Sequence, residues 1–161
     1  MVGALNGDIP PPRSATIVPW TMSTAGEARD HVEIIDHEDF LEVRILGSFL
    51  IDRFKRQFDA AVRACRERKR SKLLVDSTRI EGPISTVDRY HMGNYGAQEG
   101  VDLQVASLTR PDLVDPGKFG VVVAKNRGLT IDVFTDRQKA VDWLQSLDTD
   151  ASSSGRDVPH P

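Results

Sequence analysis

The stretch from Leu50 to Val75 constrains the fold more than any other. Ile51, Phe54, Phe58, Val62 and Cys65 recur at three- and four-residue steps, the signature of one apolar helix face. The spacing predicts a helix over 50–69. Leu73-Leu74-Val75 comes almost at once after it, a short continuous apolar run as expected of a strand covered on both faces or in mid-sheet. A helix that feeds a buried strand is half of a βαβ unit, and such units build a largely parallel sheet.

The pattern continues on both sides. Val32 to Ile35 and Leu41 to Leu46 are short β-type runs joined by the polar Asp36-His37-Glu38-Asp39, which predicts a hairpin. Ile84 to Gln98 reads as a weaker helix, and Leu103 to Leu108 as a strand. Asp115-Pro116 is expected to open a third helix, with Pro at its first position, and Gly128 to end it in a left-handed conformation. Thr130 to Phe134 alternates as a strand. Thr135 to Leu147 reads as the last helix, with Thr135 and Gln138 at capping-box spacing. The expected order is ββαβαβαβα: a single α/β domain with a mixed, mostly parallel sheet of about five strands and four helices. Phe54, Phe58, Leu74, Val105, Val133 and Leu144 are its expected core.

Residues 1–30 hold Pro10-Pro11-Pro12 and one isolated apolar cluster, Ile17 to Trp20, and read as a disordered arm. Met22, followed by Ser-Thr-Ala, is a candidate natural start. Residues 148–161, with Ser152-Ser153-Ser154-Gly155, read as a disordered tail, which leaves 31–147 as the folded unit. The length of 161 residues suits one core. Cys65 is the only cysteine, so an intrachain disulfide and a cysteine-rich zinc site are excluded. The N-terminus lacks a signal-peptide pattern, and the apolar runs are far shorter than the roughly 20 residues of a membrane span. A cytoplasmic location is the expectation.

The net charge of −3 hides a division. Arg53 to Lys72 carries nine basic and two acidic residues, a local +7 against −10 elsewhere. Arg56, Arg63, Arg66 and Arg70 form a candidate basic contact face for an acidic protein surface or anionic lipid. Positive charge at a helix C-terminus also complements the dipole. The run has no interleaved Tyr or Trp and the whole chain is acidic, which argues against nucleic acid.

The chemistry-bearing candidates gather in LLVDSTRIEGPIST, Leu73 to Thr86. Asp76 is expected just beyond a strand's carboxyl end, where parallel sheets place functional groups, with the alternative that its carboxylate only caps a turn. An aspartyl phosphoacceptor needs an acidic pair and a Lys on neighbouring strand ends, and the corresponding Asp36-His37, Gly47-Ser48 and Thr135-Asp136 do not supply them. Ser85-Thr86-Val87-Asp88 has capping-box spacing, so Ser85 is an N-cap that could also accept a phosphate. Ser85, Asp88 and His91 do not make a triad: six residues of helix separate Ser from His by about 9 Å. His31, Glu33, Asp36, His37, Glu38 and Asp39 are a flat polar run, better explained by a hairpin turn than by converging metal ligands. Gly93, Gly96 and Gly100 lack phosphate-loop spacing and are expected to loosen and end their helix. No catalytic residue, metal or cofactor is assigned.

The whole pattern resembles the STAS superfamily, more narrowly its sporulation anti-sigma-factor-antagonist-like branch, which borders on the CRAL-TRIO lipid-binding fold. The residues that carry the resemblance are the hairpin start, Leu73-Leu74-Val75-Asp76, Gly82, and the end block Asn126-Arg127-Gly128-Leu129, Val133-Phe134-Thr135-Asp136 and Ala140-Val141-Asp142-Trp143-Leu144. It covers about 32–147. It implies a bacterial, non-enzymatic regulatory module that binds a protein partner, such as a regulatory kinase or anti-sigma-like protein. It also implies a switch Ser near Ser85, although Ile84 and Thr86 stand where switch members carry an acidic residue and a Gly. Asp76, Ser77, Ser85 and Thr86 are thus the candidate switch or interaction edge. The alternative is a carrier or sensor of an apolar ligand or lipid with a basic membrane-facing helix, and that reading requires an internal cavity.

Overall fold

The computed structural model describes residues 9, 11–19 and 31–153. Its elements are β1 (Ser14–Pro19), β2 (His31–Asp36), β3 (Leu41–Ser48), α1 (Ile51–Glu67), β4 (Lys72–Glu81), α2 (Thr86–Gly100), β5 (Gln104–Leu108), a 3-10 turn (Pro111–Leu113), α3 (Phe119–Asn126), β6 (Thr130–Phe134) and α4 (Arg137–Ser153). The six strands form one sheet in chain order. β1, β2 and β3 pair antiparallel, and β3, β4, β5 and β6 pair parallel. The mixed α/β class with four helices is as the sequence predicts. Among the described residues, no helix is long and apolar enough to cross a membrane.

Three successive crossovers of one hand, moving the same way along the sheet, lay α1, α2 and α3 on one face. The main core lies there, with Phe54, Phe58, Val62 and Cys65 of α1 against Leu41, Val43, Leu73, Val75 and Val105. α4 returns over the opposite face, where Ala140, Val141 and Leu144 meet Phe40, Leu74, Ala106 and Leu108. Pleating divides neighbouring residues between these layers: Leu73 and Val75 point one way, Leu74 the other.

Several expectations need correction. The sheet has a sixth strand, because residues 14–19 of the supposed arm pair with β2 from Ser14↔Asp36 to Pro19↔His31. An edge strand needs only one neighbour and tolerates Pro19, so an isolated apolar cluster suffices. The rest of 1–30 lies outside the described residues, apart from residues 9 and 11–13. The last helix continues to Ser153 rather than ending at Leu147, and 154–161 lie outside the described residues. Asp136, not Thr135, begins that helix: its Oδ1 accepts from Lys139 N at 2.9 Å.

Pro116 does not open α3. Asp115-Pro116-Gly117-Lys118 closes a turn in which Lys118 N donates to Asp115 O at 2.9 Å, with Pro in its preferred second position. α3 starts one residue later, behind a left-handed Lys118, and Asp115 Oδ2 accepts from Phe119 N at 2.6 Å. Gly128 does end the helix with φ near +92°. Five of the six expected core residues are buried. Val133 is only half-buried, because β6 is a sheet edge.

Candidate functional site

β4 runs for ten residues, through Asp76, Ser77 and Thr78 to Glu81, so these residues lie inside a strand and not beyond its end. The apolar run looks short in the sequence because the pairing with β3 shifts register between Arg44 and Leu46, which interrupts the alternation. Asp76 bonds locally: its Oδ1 accepts from Thr78 N at 2.9 Å and from Thr78 Oγ1 at 2.6 Å. The turn-type bonding is present, but within the strand. Ser77 is buried and its Oγ donates to Leu108 O at 3.0 Å. Gly82, with φ near +82°, then turns the chain toward α2. Ser85 Oγ accepts from Asp88 N at 3.0 Å, the N-cap bond its spacing predicts, and the same hydroxyl donates to Asp88 Oδ2 at 2.7 Å. Thr86 is the exposed first residue of α2. The four residues do not converge. Asp76 faces α4, whose Arg137 lies 3.7 Å away, whereas Ser77 faces the α1–α3 layer.

The basic face is largely matched within the chain. Arg66 donates to Glu99 O at 2.9 Å and pairs with Asp102 at 3.3 Å. Arg70 holds Asp36 at 3.1 Å, Arg68 reaches Asp36 at 4.0 Å, and Lys72 pairs with Asp148 at 2.6 Å. Arg56 and Arg63 are exposed and also engaged in interactions. Cys65 is fully buried, and burial, with Asp102 adding to it, raises its thiol to about 12. It is an inert core residue.

Two features are not visible in the sequence. The first is a buried ion cluster on the α4 side. Glu42 has no exposed surface, yet accepts from His37 Nε2 at 2.7 Å, from Arg44 Nε at 2.9 Å, and from both terminal nitrogens of Arg137. Burial alone would push its pKa up. The bonds from His37 and Arg137, with the Arg137 charge and the Arg44 bond, outweigh it and hold the carboxyl well below the usual range. Glu42 alternates with Leu41 and Val43, so it reads as the solvent side of a strand. α4, more than ninety residues away, turns that side inward. Among the described residues no group of His, Cys, Asp or Glu is placed to hold a metal ion; His37 serves Glu42 instead.

The second is a cavity of about 120 Å³ between the sheet and α1, α2 and α3. Its inner wall is apolar: Phe54, Phe58, Val75, Val105, Leu129 and Ile131. Its polar groups come from the carboxyl-end half of the sheet and from α2 and the approach to α3: Ser77, Ser107, Thr109, Arg89, Asp115 and Lys118. Gly93 and Gly96 also line it, and they do not loosen α2 as expected. They make a flat strip. A Cβ on Gly93 would overlap the Gly120 carbonyl, and a Cβ on Gly100 would lie 3.1 Å from the Phe58 ring. Glycines at three- and four-residue steps are the available signal, since a helix strip without side chains permits close helix packing.

No family model and no curated protein matches the chain. Among solved structures, the chain is similar to an uncharacterized protein from the DUF3478 family with a SpoIIAA-like fold from Shewanella loihica PV-4. The two are 18% identical with a TM-score of 0.47, over 70% of this chain and 91% of that chain.

Proposed function

We propose that this protein is a binding module rather than a catalyst, and that it senses or carries a small apolar molecule in the cavity beneath α2 and α3. The cavity carries the reading: about 120 Å³ lined mainly by aliphatic and aromatic side chains. An engineered apolar cavity of about 150 Å³ takes up benzene, so a space of this order accommodates a ring or short chain. The polar side chains beside it support binding more than bond-breaking, because several already hold the fold. Ser77 donates to Leu108 O, Arg89 to Leu113 O at 2.8 Å, and Asp115 receives the Phe119 amide. The test is calorimetric titration with benzene and hexan-1-ol, on the native chain and on Gly96→Leu, whose side chain fills the space. Saturable binding lost in the filled variant supports the proposal. Binding unaffected by filling places the ligand elsewhere and defeats it.

A second reading, a regulatory protein-interaction module, has its own observation. Val87, Tyr90, Phe119 and Val122 are exposed on the outer side of α2 and α3, and the Tyr90 and Phe119 rings stack at 6.4 Å. A protein partner of the kind the STAS resemblance implies would cover this surface, with Ser85 at its margin. A photo-crosslinker at position 90 tests it: crosslinks to a discrete partner are expected, and crosslinks equal in yield to those from a control position on β1 argue against it.

A further inference from the structure

The cavity is polarised, and its polar end is not neutral. Arg89, in the second turn of α2, lines it, and so does Lys118, which caps α3 in a left-handed conformation. Gly120 and Val121 of the first turn of α3 line the same end. First-turn amides have no intrahelical acceptor, and the helix dipole makes that end positive. Asp115 supplies one negative charge there, with Oδ2 accepting from Phe119 N. Lys118 also reaches outward, with Nζ 3.3 Å from Asp132. Arg89 spends Nη2 on Leu113 O, out of five N–H donors in a guanidinium. Asp132 is shared between Lys118 and Lys125, the latter at 3.9 Å, and Asp115 is engaged by the Phe119 amide. Two carboxylates therefore answer Arg89, Lys118 and the α3 N-terminus only in part and leave this end positive, while the opposite end is hydrocarbon.

Given the cavity-binding reading, we infer that the ligand is a small anionic amphiphile, a monocarboxylate on an aryl or short alkyl body. The body occupies the space between Phe58, Val105 and Ile131, and the carboxylate meets Arg89 and Lys118 at the mouth. A neutral apolar body buries the same surface but leaves the cations facing water. The acid therefore gains charge-assisted bonds that its alcohol cannot make.

The experiment compares 3-phenylpropionate with 3-phenylpropan-1-ol, and hexanoate with hexan-1-ol, by calorimetric titration of the full chain at pH 7.5. Each acid is expected to bind at least tenfold more tightly than its alcohol. That preference should shrink in 0.5 M salt. It should fall to within about twofold in Arg89→Met with Lys118→Gln. Equal binding of acid and alcohol overturns the carboxylate inference and leaves the cavity reading standing. Tighter alcohol binding does the same. Binding of neither overturns both. The native-chain comparison needs no variant, so it decides even where the double substitution fails to fold.

Discussion

Glu42 holds the α4 side of the sheet to the helix that covers it. One carboxylate accepts bonds from β3 (Arg44), the β2–β3 turn (His37) and the start of α4 (Arg137). Removing one member of a buried ion cluster strands the others, so Glu42→Gln should cost about 3–5 kcal/mol at pH 7, read from urea unfolding. The sign of the shift sets the pH dependence. The folded carboxyl has a lower pKa than the unfolded one, which lies near about 4.3. The folded state therefore binds fewer protons. The contribution is complete above that value and lost as the pH falls from there toward the depressed one. The gap between native and Glu42→Gln proteins should narrow below about pH 4; a gap unchanged at pH 3 would mean that the charge is not what stabilises. Ser85 is the contrasting residue, because its bonds are local. Ser85→Ala should cost about 0.5–2 kcal/mol and Ser85→Asp almost nothing. Local chemistry of this sort is legible in sequence, as the Ser85–Asp88 spacing is. The role of Glu42 is not, because its partners at 37 and 137 become neighbours only after folding.

At the scale of elements, periodicity locates every helix and all strands but one. Its errors come where the deciding contact is distant. Residues 14–19 read as part of an arm because six residues show too little pattern, yet an edge strand needs only a neighbour to pair with. Deleting 1–29 removes β1 and uncovers the outer edge of β2, whose Val32, Ile34 and Ile35 are buried. The thermal midpoint should fall by several degrees, at roughly 2–4 °C per kcal/mol for a chain of this size. An unchanged midpoint would return the segment to the status of an arm. The α2–α3 contact makes a second claim. Gly93→Ala puts a methyl group against the Gly120 backbone, which cannot rotate away. The substitution should cost about 1–3 kcal/mol by overpacking and should alter ligand uptake, since both glycines line the cavity. Ala at Gly96 meets only ordinary contacts, 3.7 Å from Leu129, and should be tolerated far better.

For the whole molecule, the sequence shows where charge is concentrated but not what answers it. The local +7 at 53–72 invites an external anion. In the folded chain, much of it meets acids from β2, the α2–β5 connection and α4: Asp36, Asp102 and Asp148. The cavity is equally hidden, because its wall is assembled from three helices and four strands. If the segment is chiefly a partner for internal acids, its arginines should matter to stability in proportion to their burial. Arg70 is three-quarters buried and meets an Asp36 side chain only 17% exposed, while Arg66 and Asp102 are both more than half exposed. A hydrogen-bonded charge in partial burial is worth about 1.5–3 kcal/mol, an exposed pair under about 1. Arg70→Ala should therefore lower the urea midpoint clearly and Arg66→Ala barely. High salt should erase the small Arg66 effect and leave most of the Arg70 effect, because screening reaches exposed charges first. The same two variants titrated with anionic vesicles provide the opposing measurement. If both unfold like the native chain but lose vesicle binding in step with lost charge, the basic segment faces outward in function, and its internal pairing is incidental.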